Sequence, residues 1–177
     1  MNIKDNADKL LYEYGLMKIL EQHGKVQLIG SYYMDIMAPN DLDIYVDNEE
    51  ISAEAMYQII NDIIKIFRPV WFEVKHNFND NFIGFETKIL ADLWNVDIRF
   101  ISKDDIQKTV DYNNKIIEKL EVNKLLKQVI IDIKKELIKR NEYGFGMPYN
   151  SLMVYDSILN NNIKSIEDFI NLSKREE

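Results

Sequence analysis

Two aspartates flanking one leucine, Asp41-Leu42-Asp43, follow the pair Gly30-Ser31 by ten residues in the stretch LIGSYYMDIMAPNDLDIYV, Leu28 to Val46. Side chains at i and i+2 of a strand share a face, so an apolar strand here would hold two carboxylates about 7 Å apart. Like charges at that spacing call for a cation between them. A third carboxylate stands in LWNVDIRFI. Alternation there puts Trp94, Val96, Ile98 and Phe100 on one face and Asn95, Asp97 and Arg99 on the other. If this strand lies beside Asp41–Val46, the three aspartates converge, and divalent cations would relieve their repulsion. Hard cations such as Mg²⁺ take oxygen ligands, often a few carboxylates plus substrate phosphates. A pair of them can clamp both the attacking and the leaving oxygen of a phosphoryl displacement.

The elements that must position these residues alternate along the first hundred positions. Leu10, Tyr14, Met17 and Leu20 mark one face of a helix from about Asp5 to His23, stopped by Gly24. Two short strands follow, Lys25 to Ile29 and Asp41 to Val46, joined by the Gly-Ser turn and closed by Pro39-Asn40. Ser52 caps a helix whose stripe is Met56, Ile59, Ile60, Ile63 and Phe67, and Pro69 ends it. Strands are expected at Val70 to His76, Phe82 to Leu90 and Trp94 to Ile101, with a turn at Asn79-Asp80-Asn81 between the first two. After Ser102 the pattern is helical. Leu125, Leu126, Val129, Ile130, Ile133 and Leu137 predict a long amphipathic helix stopping near Gly144. Shorter helices follow Ser151 and Ser165, the latter opening on a capping box, Ser165-Ile166-Glu167-Asp168. The fold class is therefore α+β, a mixed sheet flanked by helices in residues 1–102. An all-helical region, 103–177, is expected to pack on it without a linker.

Composition narrows the function classes. The 177 residues suffice to bury a full core, and 46% apolar with 29% charged residues is ordinary for a globular chain. No cysteine is present, which removes disulfides, thiolate nucleophiles and zinc-thiolate sites and fits a reducing cytoplasm. No apolar run is long enough for a membrane helix and no signal peptide is recognisable, so a cytoplasmic location is expected. Residues 1–100 hold nine Lys and Arg against seventeen Asp and Glu, and the rest thirteen against thirteen, for a net charge of −8. An acidic first half argues against a nucleic-acid partner and suits metal ions or a cationic small molecule.

In this order and spacing, Gly30-Ser31, Asp41-Leu42-Asp43 and Asp97 resemble the nucleotidyltransferase superfamily related to DNA polymerase β. Its pattern is an apolar strand ending in Gly-Ser, Asp-x-Asp on a second strand and a lone Asp on a third. The resemblance covers Lys25 to Ile101. More loosely, the tail SLMVYDSILNNNIKSIEDFI is similar to the C-terminal helices of small bacterial members, which include antibiotic-modifying enzymes. The resemblance implies a nucleoside triphosphate bound with Mg²⁺ or Mn²⁺. Gly30 would allow close backbone approach to phosphate, and Ser31 would offer its hydroxyl and N–H. Asp41 and Asp43 would bind the nucleotide-associated ion. Together with Asp97 they would hold a second, which activates the acceptor hydroxyl, and Asp97 could take that hydroxyl's proton. One departure stands out: many relatives carry an arginine or lysine between Gly-Ser and Asp-x-Asp, whereas YYMDIMAPN has no cation and adds Asp35.

The implied function is transfer of a nucleoside monophosphate from the triphosphate to a hydroxyl of a small, aminoglycoside-like or other antibiotic acceptor, releasing pyrophosphate. A protein hydroxyl, as in toxin–antitoxin relatives, is an alternative acceptor. A non-catalytic nucleotide-binding or regulatory module is another alternative, and a metal-dependent phosphodiesterase is disfavoured by the Gly-Ser turn. Structural accounts also stand open: Gly30-Ser31 as a simple turn, Asp41 and Asp43 as solvent-facing residues, Asp97 paired with Arg99 or a lysine. Lys134, Lys135, Lys139 and Arg140 read as a solvated face of the long helix, and His23 and His76 have no partner at metal or triad spacing.

Overall fold

In the computed structural model, which describes residues 3–77, 80–144, 146–161 and 163–176, period-two patterning and apolar runs build a sheet of five strands among the described residues. These are β1 (Lys25–Leu28), β2 (Asp41–Asp47), β3 (Trp71–Asn77), β4 (Asp80–Ile89) and β5 (Asp92–Ile101), in the order β1-β2-β5-β4-β3. Only β2 and β5 run parallel; the other neighbours are antiparallel. A parallel pair cannot be joined by a hairpin, and here the connection contains a helix, α4 (Ala53–Phe67), and the β3–β4 pair. Asn79 of the expected turn lies outside the described residues, while Asp80 and Asn81 already belong to β4.

Alternation gives the sheet one greasy face. Leu42, Ile44, Val46, Val96 and Ile98 are fully buried, while Asp41, Asp43, Asn95 and Asp97, the residues between them, are half-buried. The greasy face belongs to a core completed by the stripe of α4, in which Met56, Ile59, Ile60, Ile63 and Phe67 are buried. Burying five such side chains is worth on the order of 10 kcal/mol, at about 1.5–3 kcal/mol each. Ser52 caps α4 by accepting from the Ala55 N–H at 3.2 Å, and the helix ends at Arg68 in a left-handed conformation, just ahead of Pro69.

The expected helix from Asp5 to His23 is broken instead. It runs as α1 (Ile3–Asp8), a π-helical turn over Lys9–Glu13 and α2 (Leu16–Leu20). Gly15 sits between them at φ +84°, and the wider π turn shifts the buried face onto Leu10, Leu11, Leu16 and Leu20, leaving Tyr14 42% exposed. A helical turn, α3 (Gly30–Tyr33), joins β1 to the segment leading into β2.

The chain packs as two units, Met1–Asn113 and Asn114–Glu177, whose boundary falls inside α5 (Lys103–Val122). The second unit contains α6 (Lys124–Lys139), α7 (Ser151–Asn161) and α8 (Ile166–Glu176), with Ile130, Ile133, Leu137, Val154, Ile158 and Phe169 buried. Helix α6 stops at Lys139, short of Gly144, because Arg140 closes it and Asn141 turns left-handed at φ 56°. Ser165 caps α8: the Asp168 N–H donates to Ser165 Oγ at 3.1 Å, and the reciprocal bond to Asp168 Oδ2, at 2.9 Å, comes from that hydroxyl.

Candidate active site

Parallel pairing of β2 with β5 sets Asp43 directly opposite Asp97 and Asp41 opposite Asn95. By alternation all four belong to the face opposite the core, so the carboxylates of the two strands share one face. Asn95 holds the first of them: its Nδ2 donates to Asp41 Oδ1 at 2.9 Å. Burial first, and the negative charge of Asp41 second, push the Asp97 carboxyl group above its ordinary pKa, against the opposing pull of Asn95, Arg99 and Lys75.

Gly30 has a reason here that the sequence did not reveal. Its φ is +64°, and a Cβ built on it would lie 2.5 Å from Asp43 Oδ2. The missing side chain is the seat of the Asp43 carboxylate, secured further by the Ile29 N–H, which donates to the Asp43 carbonyl at 3.2 Å. Ser31 is only 7% exposed, so it belongs to the buried wall of the turn. Two bonds strap the turn to α1. The Tyr32 hydroxyl donates to Asp8 Oδ1 at 2.6 Å, and Lys4 lies 3.6 Å from Asp35 and 5.2 Å from the centre of the Tyr32 ring. Burial, then the bond to Asp8, raises the Tyr32 pKa. Lys4 thus brings from α1 a positive charge that the segment between Ser31 and Asp41 lacks.

On the other side of Asp97 the sheet continues into β4 and β3. Gly84 faces Asp97 across the β4–β5 ladder, and Phe82 faces both Arg99 and Lys75. A Cβ at Gly84 would come within 2.7 Å of the Phe82 ring, which lies over it. Of the alternatives left open, an Arg99–Asp97 ion pair does not form; the Arg99 guanidinium reaches Asp80 at 2.7 Å, because Asp80 begins the neighbouring strand on the same face. Gly84, Phe82, Lys75 and Asn95 were not singled out from the sequence. A glycine inside a strand pattern, Phe82-Ile83-Gly84-Phe85, was the available signal, since such a residue marks close approach of another group. For Asn95 the signal was its place two residues before Asp97.

His76 Nδ1 is 2.7 Å from Asn81 Oδ1, in a groove of about 660 Å³ also lined by Glu49, Glu50 and Ser52. In the second unit Lys134 is not part of a solvated face: it is 1% exposed, because it falls on the stripe of Ile130, Ile133 and Leu137. Its ammonium lies 3.3 Å from the Tyr155 hydroxyl and 5.7 Å from the centre of the Tyr143 ring. Lys135 is exposed, and Lys139 and Arg140 pair with Glu136.

Carboxylates alone are hard oxygen donors, and the set Asp41, Asp43 and Asp97 suits Mg²⁺ or Mn²⁺ rather than a soft metal. Among the described residues, no three His, Cys, Asp or Glu side chains are drawn together into a ready-made ligand group. The fit therefore rests on donor chemistry, on the strand register and on the seat that Gly30 leaves for Asp43.

No family model and no curated protein sequence matches the chain. Solved structures do. The Cid1 poly(U) polymerase with Mg and 3′-dATP matches at a TM-score of 0.56 and 16% identity, over 79% of this chain and 43% of that one. A cytoplasmic RNA terminal U-transferase matches at 0.60 and 18%, over 90% and 48%. Terminal uridylyl transferase 4 from Trypanosoma brucei with bound GTP matches at 0.59 and 11%, over 96% and 64%. The chain spans about half the length of the first two and less than two thirds of the third. At such identities the likeness establishes a shared fold.

Proposed function

From the premise that this chain has the nucleotidyltransferase fold related to DNA polymerase β, we propose that it transfers a nucleoside monophosphate from a nucleoside triphosphate to an acceptor hydroxyl, with release of pyrophosphate. The observation that carries the reading is the parallel register of β2 and β5, with Asp43 opposite Asp97 and Asp41 one step along the same face. Nucleotidyl transfer needs positioning and charge neutralisation more than covalent chemistry, and three carboxylates on two locked strands are suited to it. Asp41, Asp43 and Asp97 would hold Mg²⁺ or Mn²⁺, which when bound neutralises the triphosphate and lowers the pKa of the acceptor hydroxyl.

The chain's own residues supply the rest. We assign the acceptor's proton to Asp97, whose carboxylate shares the open face with Asp41 and Asp43. Asn95 fixes the orientation of Asp41. The Gly30 turn seats Asp43, and the straps Tyr32–Asp8 and Lys4–Asp35 hold that turn against α1.

Two acceptor classes fit this chemistry. The acidic first half of the chain favours a small cationic molecule such as an aminoglycoside-like antibiotic; two of the matched proteins are named for acting on RNA or making poly(U). Incubating the protein with each labelled nucleoside triphosphate, Mg²⁺ and both kinds of acceptor should yield labelled product with one of them. Asp43→Asn and Asp97→Asn should each reduce the yield on the order of a thousandfold, the scale of a lost general base or of lost electrostatic stabilisation. Tight binding of Mg²⁺-nucleotide with no conversion by any acceptor would favour the non-catalytic module instead.

A further inference from the structure

Among the described residues β1 and β3 are the two edges of the sheet, and they meet solvent differently. An edge strand offers a row of backbone N–H and C=O groups to any chain that can pair with it, and proteins blunt such edges by shortening, bending or charging them. Strand β1 is cut to four residues. Strand β3 is not blunted in that way: it runs seven residues, pairs with β4 residue for residue without a bulge, and contains no proline. Large apolar side chains also stand in water at its start, with Trp71 and Phe72 each 47% exposed. The two opposite charges it carries, Glu73 and Lys75, lie 3.2 Å apart and cancel, so the edge does not repel its own kind.

Register decides what those charges permit. Full overlap of two copies of Trp71–Asn77 run antiparallel sets Val74 opposite Val74, Phe72 opposite His76, Trp71 opposite Asn77 and Glu73 opposite Lys75. The alignment that pairs the most backbone therefore also sets each glutamate against the second copy's lysine, once on either side of the two-fold axis. Sliding one copy by two residues brings Glu73 against Glu73, or Lys75 against Lys75, and like charges directly opposite destabilise a sheet. A slip of one residue sets Glu73 opposite Val74, which packs against the core, and turns one copy's faces over.

We propose that β3 pairs with β3 of a second copy of this chain, antiparallel about Val74, to form a two-fold dimer whose two sheets run on as one. A strand of unrelated sequence would gain the same backbone bonds but not the reciprocal charges, and this is what selects a second copy as the occupant. The Glu73–Lys75 pair within one copy is exposed and of little strength, so exchanging it for two pairs between copies meets no barrier. The contact lies at the sheet edge and leaves the carboxylates of β2 and β5 uncovered, so it stands whatever reaction they perform. One strand pair is a small interface, and a Kd on the order of micromolar is expected.

The test is sedimentation equilibrium of the full chain from low micromolar to submillimolar concentration, with thermal unfolding of each variant to confirm that it folds. The wild type should pass reversibly from monomer to dimer. Lys75→Glu sets glutamate against Glu73 at both positions, and Glu73→Lys sets lysine against Lys75; each should raise Kd about tenfold or more. The double exchange Glu73→Lys/Lys75→Glu keeps the reciprocal pattern and should restore the wild-type value. An equimolar mixture of the two single variants should form a heterodimer about as tight as the wild-type dimer, a result that neither misfolding nor a different contact surface produces. Hydrogen exchange locates the contact without any substitution: amides of β3 should slow as wild-type concentration rises. The proposal is overturned if the wild type stays monomeric throughout, which would leave the edge to a strand of another protein. It is equally overturned if neither single variant weakens the dimer, if the double exchange or the mixture fails to restore it, or if exchange in β3 does not depend on concentration.

Discussion

Gly30→Ala is the sharpest probe of the site, because two independent costs meet at one atom. At φ +64° an alanine adopts the left-handed region, which costs an L-residue about 1–2 kcal/mol. Its Cβ would also stand 2.5 Å from Asp43 Oδ2, so the carboxylate must rotate or the turn must shift; an off-rotamer side chain adds about 0.5–1.5 kcal/mol. The expected loss is about 2–3 kcal/mol, a fall in Tm of about 4–12 °C for a chain of this size. Gly15 provides the internal control. Its φ is +84° but nothing lies within 4 Å of a Cβ built there, so Gly15→Ala should show the backbone cost alone. Combining Gly30→Ala with Asp43→Ala removes the group that is struck, and the two effects should be less than additive by about 1 kcal/mol. Thermal unfolding of the four variants measures the energies, and nucleotidyl transfer should be lost in Gly30→Ala and retained in Gly15→Ala. Equal destabilisation by the two glycine replacements, with transfer intact in both, would refute the claim that Gly30 seats the Asp43 carboxylate.

Asp97→Asn should raise Tm at neutral pH in the presence of EDTA. The folded carboxyl group titrates above the ordinary 3.8, so with rising pH the unfolded chain ionises first and stability is lost between 3.8 and the folded value. The gain from asparagine should therefore vanish below pH 3.8, and Mg²⁺ should raise the Tm of the wild type more than that of the variant. Tyr32→Phe removes a bond to the Asp8 carboxylate and should cost about 1.5 kcal/mol, with a raised KM for the triphosphate as the sign that the strap positions the turn. An unchanged KM would leave Tyr32 a purely structural residue.

Much of this protein was legible in one dimension because its strands alternate cleanly. Asp41, Asp43 and Asp97 interrupt apolar runs at even spacing, and the alternation that buries Leu42, Ile44, Val96 and Ile98 forces the aspartates onto the opposite face. The helix α4 was equally plain, with a serine cap, a five-residue stripe and a proline stop. Where local pattern misled, a backbone irregularity or a tertiary partner was responsible. Nothing in the spacing of Leu10, Tyr14 and Met17 announces a π turn, and Lys134 looks like any helix-surface lysine until Tyr143 and Tyr155 are brought beside it.

The amino-acid order by itself determined which residues could share a face, because strand and helix periods are properties of the local backbone. Which face meets which was a matter of chain-distant pairing. Register between β2 and β5, fifty-four residues apart at Asp43 and Asp97, depends on the core's packing, and so do the seat of Asp43 on Gly30 and the Lys75–Phe82–Arg99 row across three strands. Those juxtapositions arise when burial of the sheet's apolar side selects a single strand order, and only the folded chain contains that choice.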